Sequence, residues 1–251
     1  MSISKGIALI TGSAQGIGRS IALRLARDGF NVALNDLPNK DAKLEVVANQ
    51  IESLGRQAYI VPSRFKEMVD DTVTKLGGLD VVSFSCPPLA TVESWDHTLS
   101  VNARGAYLCY KYAAIQMIEQ GRGGRIIGAS SIVGKMDRLP HNSSYTASKF
   151  AVRGLTQAAA VELGQYGITV NAYAPGAIHA SMTKVVLDES GNWFQSVFEN
   201  VPIKHIGQPE DIASIVSYLA SKEAHFITGQ FMPLLCLSPA HITVDGGLNM
   251  G

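Results

Sequence analysis

Tyr145 and Lys149 are the residues of this sequence with the clearest chemical potential. They stand four positions apart in the segment SYTASK, within a helical pattern that predicts a helix over 144–166. Residues at this spacing share one helix face, so the lysine ammonium can lie beside the tyrosine phenol. A free tyrosine has a pKa near ~10, and a neighbouring positive charge lowers that pKa. The pair therefore predicts a general acid/base that works near neutral pH.

A serine pair strengthens this interpretation, because Tyr-x-x-x-Lys by itself is a common accident. Ser130 and Ser131 directly follow the strand-like segment Arg125–Ala129, in the stretch GASSIVG. A serine at the end of a strand, upstream of the Tyr145 helix, makes the Tyr145–Lys149 pattern a stronger indication of function.

A second group of residues favours binding of a dinucleotide. The stretch ALITGSAQGIG places Gly12, Gly16 and Gly18 between a short apolar strand and an amphipathic helix. Glycines there allow a tight turn and close approach of the backbone to a pyrophosphate, which the positive end of the helix attracts. A purely structural turn is the alternative, which the position between strand and helix disfavours.

Asp36 ends the next predicted strand and extends the nucleotide interpretation. A carboxylate at this interval from the glycines can accept hydrogen bonds from ribose hydroxyls and repels a 2′-phosphate. No arginine stands beside it in Leu34-Asn35-Asp36-Leu37. We therefore expect NAD to be preferred over NADP; a carboxylate that caps the following turn is the alternative.

The elements that must hold these residues alternate between strand and helix. Short, continuously apolar strands separated by amphipathic helices favour a parallel sheet that is covered on both faces. We expect an α/β fold: a single doubly wound Rossmann-type domain over residues 1–251, with a parallel sheet and helices on both faces. The predicted elements include a long helix over 95–120 and a last strand at Ile242–Asp245.

Composition excludes several other functions. The 251 residues carry 21 basic and 21 acidic side chains, so no broad positive field would attract nucleic acid or an anionic membrane. Three distant cysteines and scattered histidines predict neither a disulfide framework nor a metal site. No apolar run is long enough for a membrane helix or a signal peptide, so we expect a cytoplasmic protein.

Several motifs together resemble the short-chain dehydrogenase/reductase family. They occur in the family's order over nearly the whole chain: TGSAQGIG (11–18), SVNARGAY (100–107), ASSIVG (129–134), YTASK (145–149), GITVNAYAPGAI (167–178) and TVDGG (243–247). The resemblance implies NAD(P)(H)-dependent oxidation of an alcohol or reduction of a carbonyl group, with the hydride exchanged between cofactor and substrate.

The resemblance also implies a role for individual residues. Tyr145 would be the general acid/base, Lys149 would bind ribose and tune the phenol, Ser131 would hold the substrate oxygen, and Asn102 would hold a water in a proton relay. For Asn102, an ordinary hydrogen bond within a helix is the alternative. The cofactor-binding residues would be Gly12, Gln15, Gly16, Ile17, Gly18, Asp36, Tyr145, Lys149, Pro175, Gly176 and Ile178.

Within the family, SKFAVRGLTQAAAVEL (148–163) and GRGGRII (121–127) most resemble the acetoin (diacetyl) reductase and 2,3-butanediol dehydrogenase branch. This implies a small neutral ketone, secondary alcohol or polyol as substrate. The apolar residues in 179–200 stand where the family carries a substrate lid, although ordinary packing or a subunit contact explains them equally well. The family's usual assembly, through its long helices and C-terminal strand, implies a homo-oligomer, either a tetramer or a dimer.

Four places depart from the family pattern: one is the 14-position spacing from Ser131 to Tyr145, about one more than usual, and the other three are segments that bear on the cofactor or the sheet edge. Ser63–Lys66 replace an acidic residue near adenine, and Ser83–Pro88 (SFSCPP) replace small residues beside the ribose. Phe231–His241 looks like an extra segment ahead of the last strand. A catalytically weak or silent relative that acts as a binding protein is therefore one alternative, and a non-redox acid/base enzyme on the same fold is another.

Overall fold

A computed structural model of the protein describes residues 4–61, 65–83, 92–135, 142–179 and 206–234. Within these ranges, seven strands form one sheet in the order β3-β2-β1-β4-β5-β6-β7, and all neighbouring pairs are parallel. The strands are β1 (Ile7–Thr11), β2 (Asn31–Asn35), β3 (Ala58–Ile60), β4 (Val81–Ser83), β5 (Gly124–Ala129), β6 (Ile168–Pro175) and β7 (Phe231–Leu234).

The strand order reverses between β1 and β4, which are neighbours in the sheet. Connections leave such a point in opposite directions, so a crevice opens beyond the carboxyl ends of these strands. The glycine-rich segment that follows β1 lies at this edge of the sheet. The order therefore places the predicted nucleotide residues where open α/β sheets bind ligands.

Helices cover both faces of the sheet, as the sequence predicts. They are α1 (Gly16–Asp28), α2 (Asp41–Ser53), α3 (Phe65–Leu76), α4 (Val92–Thr98), α5 (Gly105–Gln120), α6 (Ser143–Leu163) and α7 (Pro209–Ala220). One apolar cluster joins α1, α2 and α7 to the sheet, and a second joins α3, α5 and α6 to its other face. None of the described helices combines the length and the apolar character that crossing a membrane would need.

The helix predicted over 95–120 is confirmed, with an irregularity in the middle. Residues Leu99–Arg104 form a π-helical turn between α4 and α5, so the helical path runs from Val92 to Gln120. A π turn inserts one residue into the helical repeat, and such turns occur often at functional sites. Asn102 lies within this turn.

The seventh strand corrects one sequence prediction. The sequence predicts that Phe231–Leu234 belong to an extra segment before the last strand, but these residues pair directly with Ala172–Pro175 of β6. Asn171 holds the preceding turn, because its side chain bonds both the Ile227 carbonyl and the Gln230 amide. Proline is tolerated at position 233 because β7 is an edge strand among those described. The strand predicted at 242–245 lies outside the described residues.

Gly128 shows how closely α5 approaches the sheet. A Cβ added at this position of β5 would overlap the hydroxyl of Tyr110, a buried residue of α5. That hydroxyl lies 2.8 Å from Oγ1 of Thr156 on α6. Burial raises the pKa of Tyr110 well above its usual value, so the phenol is neutral. This hydrogen bond ties α5 to α6 beneath the site described next.

Candidate active site

The glycine-rich turn has the backbone that the sequence predicts. Gly12 and Gly16 have φ values of 64° and 56°, a region that residues with a side chain rarely adopt. Gly18 is needed for another reason, because a Cβ there would overlap the Gly12 carbonyl oxygen. Gln15 precedes α1 in an extended conformation, and its side chain does not cap the helix. The first amides of α1 therefore fit a phosphate-binding role, with Ile17 in the first turn of the helix.

Asp36 lies against this turn, at the end of β2. Its carboxylate accepts hydrogen bonds from the Ala14 amide at 2.9 Å and from the Leu37 amide at 2.8 Å. Each carboxylate oxygen has a further lone pair, so both can also accept from ribose hydroxyls. Asp36 and the glycines thus lie at one edge of the sheet, and the residues present fit a nicotinamide dinucleotide.

Tyr145 and Lys149 face each other on the first two turns of α6. The Lys149 ammonium lies 5.4 Å from the centroid of the Tyr145 ring. It also donates a hydrogen bond of 3.0 Å to the carbonyl of Ala129, the last residue of β5. Lys149 is only 4% exposed, whereas Tyr145 is half-buried. A positive charge is thus held, largely out of water, next to the ring of a half-buried tyrosine.

The two serines after β5 have different environments. Ser130 is buried and donates to the Lys149 carbonyl at 2.9 Å, which ties the end of the strand to α6. Ser131 precedes a 3₁₀ turn over Ile132–Gly134, and within the described part of the chain its Oγ makes only a long contact of 3.5 Å with the Val133 amide. The hydroxyl of Ser131 is therefore the less committed of the two, which agrees with its predicted role as donor to the substrate.

Asn102 reaches α6 from the π-helical turn. Its Nδ2 donates to the Ser148 Oγ at 3.0 Å, and the residue is 5% exposed. Its Oδ1 is buried and has no hydrogen-bond partner among the described residues. Both expectations for Asn102 thus have support, since the amide makes one ordinary hydrogen bond and keeps an acceptor that a water could use.

Pro175, Gly176 and Ile178 lie at the carboxyl end of β6. Pro175 is the last residue of the strand, and the Gly176 amide donates to the Leu234 carbonyl at 3.3 Å. Ile178 is buried and pairs with Gly207 in an isolated bridge. β5 and β6 are neighbours, so these residues and Ser131 share one edge of the sheet.

Several sequence predictions fall outside the described residues. They are the lid residues beyond His179, Ser63 and Arg64, the stretch from Phe84 to Pro88, and the remainder of the segment that follows Leu234. Of these departures from the family pattern, the structure describes Phe65 and Lys66 as the start of α3, Ser83 as the end of β4, and Phe231–Leu234 as β7.

Ser148 is a residue of the site that the sequence analysis does not single out. It is fully buried, contacts Asn102, and donates a hydrogen bond of 2.6 Å to the Tyr145 carbonyl. The feature of the sequence that points to Ser148 is its position, three residues after Tyr145 and one before Lys149. Serine inside a helix often bonds its own backbone, so sequence alone does not distinguish it from a structural residue.

Known dehydrogenases and reductases are similar to this chain along almost its whole length. Residues 12–249 match a family model described as enoyl-(acyl carrier protein) reductase. A short-chain dehydrogenase/reductase of Hericium erinaceus, eriH, is 46% identical over 263 aligned positions, which cover 97% of this chain and 98% of that protein. The 3-oxoacyl-[acyl-carrier-protein] reductase FabG of Staphylococcus epidermidis is 38% identical, with 97% and 98% covered.

Two solved structures of acetoin dehydrogenases have a similar fold. The acetoin dehydrogenase of Enterobacter cloacae superposes with a TM-score of 0.81 at 31% identity, covering 93% of this chain and 95% of that one. The acetoin dehydrogenase YohF of Salmonella typhimurium has the same score and identity, with 98% and 97% covered.

Proposed function

The chain belongs to the short-chain dehydrogenase/reductase family of oxidoreductases, and we propose that it interconverts a small ketone and the corresponding secondary alcohol with NAD(H). The observation that carries this proposal is the buried Lys149 ammonium over the Tyr145 ring, at the carboxyl end of β5. The similarity to two acetoin dehydrogenases supports an acetoin- or diacetyl-like substrate.

In this proposal, Tyr145 moves the proton of the reacting oxygen. Its phenol donates to the carbonyl oxygen during reduction, and its phenolate accepts the hydroxyl proton during oxidation. The Lys149 cation stabilises the phenolate, because an opposite charge nearby favours the ionised form. The Ser131 hydroxyl donates to the same substrate oxygen and orients it. Asn102 holds a water that returns protons toward Lys149 and Tyr145.

The glycine-rich turn, Asp36 and the end of β6 would bind the cofactor. Gly12, Gly16 and Gly18 would bring the α1 amides to the pyrophosphate, and Asp36 would accept from the ribose hydroxyls. Pro175, Gly176 and Ile178 would flank the nicotinamide. When bound, NAD(H) supplies or accepts the hydride.

Turnover of the purified protein tests the reaction. NADH and NADPH oxidation are followed by absorbance with diacetyl, acetoin, a panel of sugars and polyol-derived ketones, and a 3-oxoacyl thioester. The thioester is included because FabG relatives are named as reductases of that class. We expect turnover with a small neutral ketone. Folded protein that oxidises neither cofactor with any of these carbonyls would refute the proposal.

Cofactor preference has its own test, with two charged groups at the adenosine end. Asp36 would repel a 2′-phosphate, whereas the exposed Lys43 ammonium, 2.7 Å from Gln15 Oε1, would attract one. We expect Asp36→Ser to improve NADPH binding relative to NADH, and Lys43→Met to do the reverse more weakly. Titration of each variant with both cofactors checks this; a ratio that Asp36→Ser leaves unchanged contradicts it.

We also propose a homo-oligomer that is formed through the outer faces of α5 and α6. These faces expose large apolar side chains: Tyr107, Ile115, Ile118, Phe150 and Val161. The face of α6 also carries Gly154, where an added Cβ would meet nothing within 4 Å. Apolar patches of this kind in adjacent helices suit a self-complementary contact with a second copy.

Sedimentation of matched variants tests the assembly. Val161 and Val46 are 69% and 55% exposed, on α6 and α2 respectively. We expect Val161→Glu to dissociate the oligomer, because a charge would be buried at the contact, while Val46→Glu leaves it intact. A monomeric wild-type protein would contradict the assembly and leave the proposed reaction untouched.

The catalytically silent alternative predicts a different result in one binding experiment. We expect NADH to bind with a micromolar Kd or better when measured by calorimetric titration. Absence of binding would favour the silent relative, and turnover of substrate without added cofactor would favour the non-redox enzyme. We place the reaction in the cytoplasm, which fractionation of the source cells would test.

A further inference from the structure

A cleft at the amino-terminal edge of the sheet carries three positive side chains that the proposed reaction does not use. Its volume is about 400 Å³, and it is lined by Lys5, Arg27, Asp28, Gly29, Leu54 and Arg56. These residues lie before β1, at the end of α1 and between α2 and β3, at the edge opposite the glycine-rich turn. We propose that this cleft binds a small polyvalent anion, a molecule with two or more phosphate or carboxylate groups, separately from the cofactor.

Gly29 brings two of the positive side chains together. It ends α1 with a φ of 107°. Its carbonyl accepts hydrogen bonds from the Lys5 amide at 3.0 Å and from Nη1 of Arg56 at 3.3 Å. A Cβ added at Gly29 would lie 3.4 Å from Cγ and 3.9 Å from Cε of Lys5, so the lysine stem passes over the glycine. The backbone at the end of α1 therefore holds the side chains of Lys5 and Arg56 on the same cleft.

The carbonyl groups at the end of α1 do not oppose an anion in this cleft. The Ala26 carbonyl accepts from the Gly29 amide at 3.1 Å, and the Leu25 carbonyl accepts from the Phe30 amide at 3.0 Å. The last carbonyls of a helix carry its partial negative charge, and pairing with backbone amides satisfies them. Their charge is thus directed at the backbone and not at the cleft.

The charge of the lining is positive even with its carboxylate included. Asp28 is the acidic residue among the described lining residues, and its Oδ1 already lies 3.1 Å from Nε of Arg24. Outside the lining, Glu223 lies near Lys5, but Lys222 beside it carries the opposite charge. An anion in the cleft would therefore meet three positive side chains and a carboxylate that is already paired.

The size and the charge of the cleft decide the class of ligand. A single exposed ion pair contributes little, because water and salt screen it. Several like charges around a concave surface focus their field, which favours a ligand that itself carries several charges. The volume is that of a small-molecule site, and Leu54, 41% exposed, offers an apolar wall to a carbon skeleton. A small polyvalent anion fits these features better than a membrane surface does.

NMR titration of the full chain tests both binding and its location. Backbone amide spectra of ²H,¹⁵N-labelled protein are recorded with pyrophosphate, with citrate, and with acetate as a singly charged control, all at one ionic strength. We expect saturable shifts at Gly29, Leu54 and Arg56 with a polyvalent anion, and none with acetate. Saturation by pyrophosphate alone, or by citrate alone, would assign the cleft to phosphates or to carboxylates. Shifts confined to residues 12–18, or no saturable shift, would overturn the inference.

Matched charge variants test which residues hold the anion. Arg27 and Lys75 are both exposed, at the end of α1 and on α3. We expect Arg27→Glu to weaken binding about tenfold in calorimetric titration, whereas Lys75→Glu, with the same change in net charge, leaves the Kd within about twofold. Lys5→Met, which keeps the stem over Gly29, should weaken binding about threefold. Equal losses in Arg27→Glu and Lys75→Glu would show that only the overall charge matters and would overturn the site.

The cleft and the glycine-rich turn lie at opposite ends of α1, which has 13 residues and is about 20 Å long. We therefore expect saturating NADH to leave the Kd of the polyvalent anion within about twofold. An anion that NADH displaces would belong to the cofactor site, and the inference would be wrong. A protein that neither binds NADH nor reduces a ketone would refute the proposed function instead, and the shifts at Gly29, Leu54 and Arg56 would still decide the cleft.

Discussion

The two faces of the sheet use polar side chains differently. On one face, α1 and α7 are joined by pairs near the surface, in which Ser20 bonds Glu210 at 2.9 Å and Ser217 bonds Asp28. On the other face, α6 meets the π-helical turn through the buried pair Asn102–Ser148. The first contacts satisfy both partners, whereas the second leaves the Asn102 Oδ1 without a partner among the described residues.

This difference indicates that the two contacts serve different purposes, one mainly stability and the other mainly the reaction. Burying a hydrogen-bond acceptor without a partner lowers stability by about 1–3 kcal/mol. A protein that retains such a group usually needs it for a purpose other than stability. The α1–α7 contact consists of buried apolar side chains with polar pairs at its edge. We expect it to contribute mainly to stability. The α6 contact carries Tyr145, Lys149 and the relay, and we expect it to contribute mainly to the reaction.

The largest expected effect is on the α6 side. Tyr145→Phe removes the proton donor but keeps the ring, so kcat should fall about 10²–10⁴-fold with an unchanged melting temperature. Tyr166→Phe is the matched control, because Tyr166 is exposed at the end of α6. Steady-state kinetics and calorimetry on both variants make the comparison. Equal activity of the two variants would remove Tyr145 from the proposed mechanism.

The next effect is on the α1–α7 side. Leu25 is fully buried in the apolar cluster of that face. Leu25→Ala should lower the free energy of unfolding by about 2–5 kcal/mol, because it removes buried methyl groups and leaves a cavity. Denaturant unfolding measures the loss, while kcat at low temperature should stay within about twofold. A kcat that falls as far as the stability would break the separation of the two faces.

A smaller effect is expected at the rim of the same contact. Ser217→Ala removes one hydrogen bond to the Asp28 carboxylate, which keeps its ion pair with Arg24 at 3.1 Å. The free energy of unfolding should fall by about 1–2 kcal/mol. Ser214→Ala, which removes an exposed contact of Arg24, should cost less. If both substitutions have the same cost, burial does not determine the strength of these pairs.

The smallest expected effect is a change of stability with pH that arises from Cys109 of α5. Burial raises the pKa of this thiol well above its usual value, so the folded protein keeps its proton while the unfolded chain loses it above about pH 8.5. Stability should therefore fall as pH rises, by about 1 kcal/mol between pH 8.5 and 9.5. Cys109→Ala should remove that part of the slope in urea unfolding curves. An identical slope in the two proteins would contradict the expected shift.

Most of the fold could be predicted from sequence because its signals are local. The apolar strands, the glycines at 12, 16 and 18, and the four-residue spacing of Tyr145 and Lys149 each act through neighbouring residues. The structure confirms the doubly wound sheet and brings Asp36 to the glycine-rich turn.

The features that sequence did not predict depend on distant contacts. Phe231–Leu234 contains a proline and resembles no regular strand, yet it pairs with β6 because Asn171 fixes the turn before it. Likewise, the Asn102 amide donates to Ser148, a serine 46 positions away. Strand preference is weak compared with such tertiary contacts, so neither feature has a local signal.

The contact between Gly128 and Tyr110 limits the substitutions that this sequence can accept. Any side chain at position 128 meets the phenol hydroxyl, so substitution there must be preceded or accompanied by loss of that hydroxyl. Thr156 would then lose its contact with α5 and keep its hydrogen bond to the Val152 carbonyl. We expect these three positions to change together among relatives of this chain, with position 128 changing no earlier than position 110.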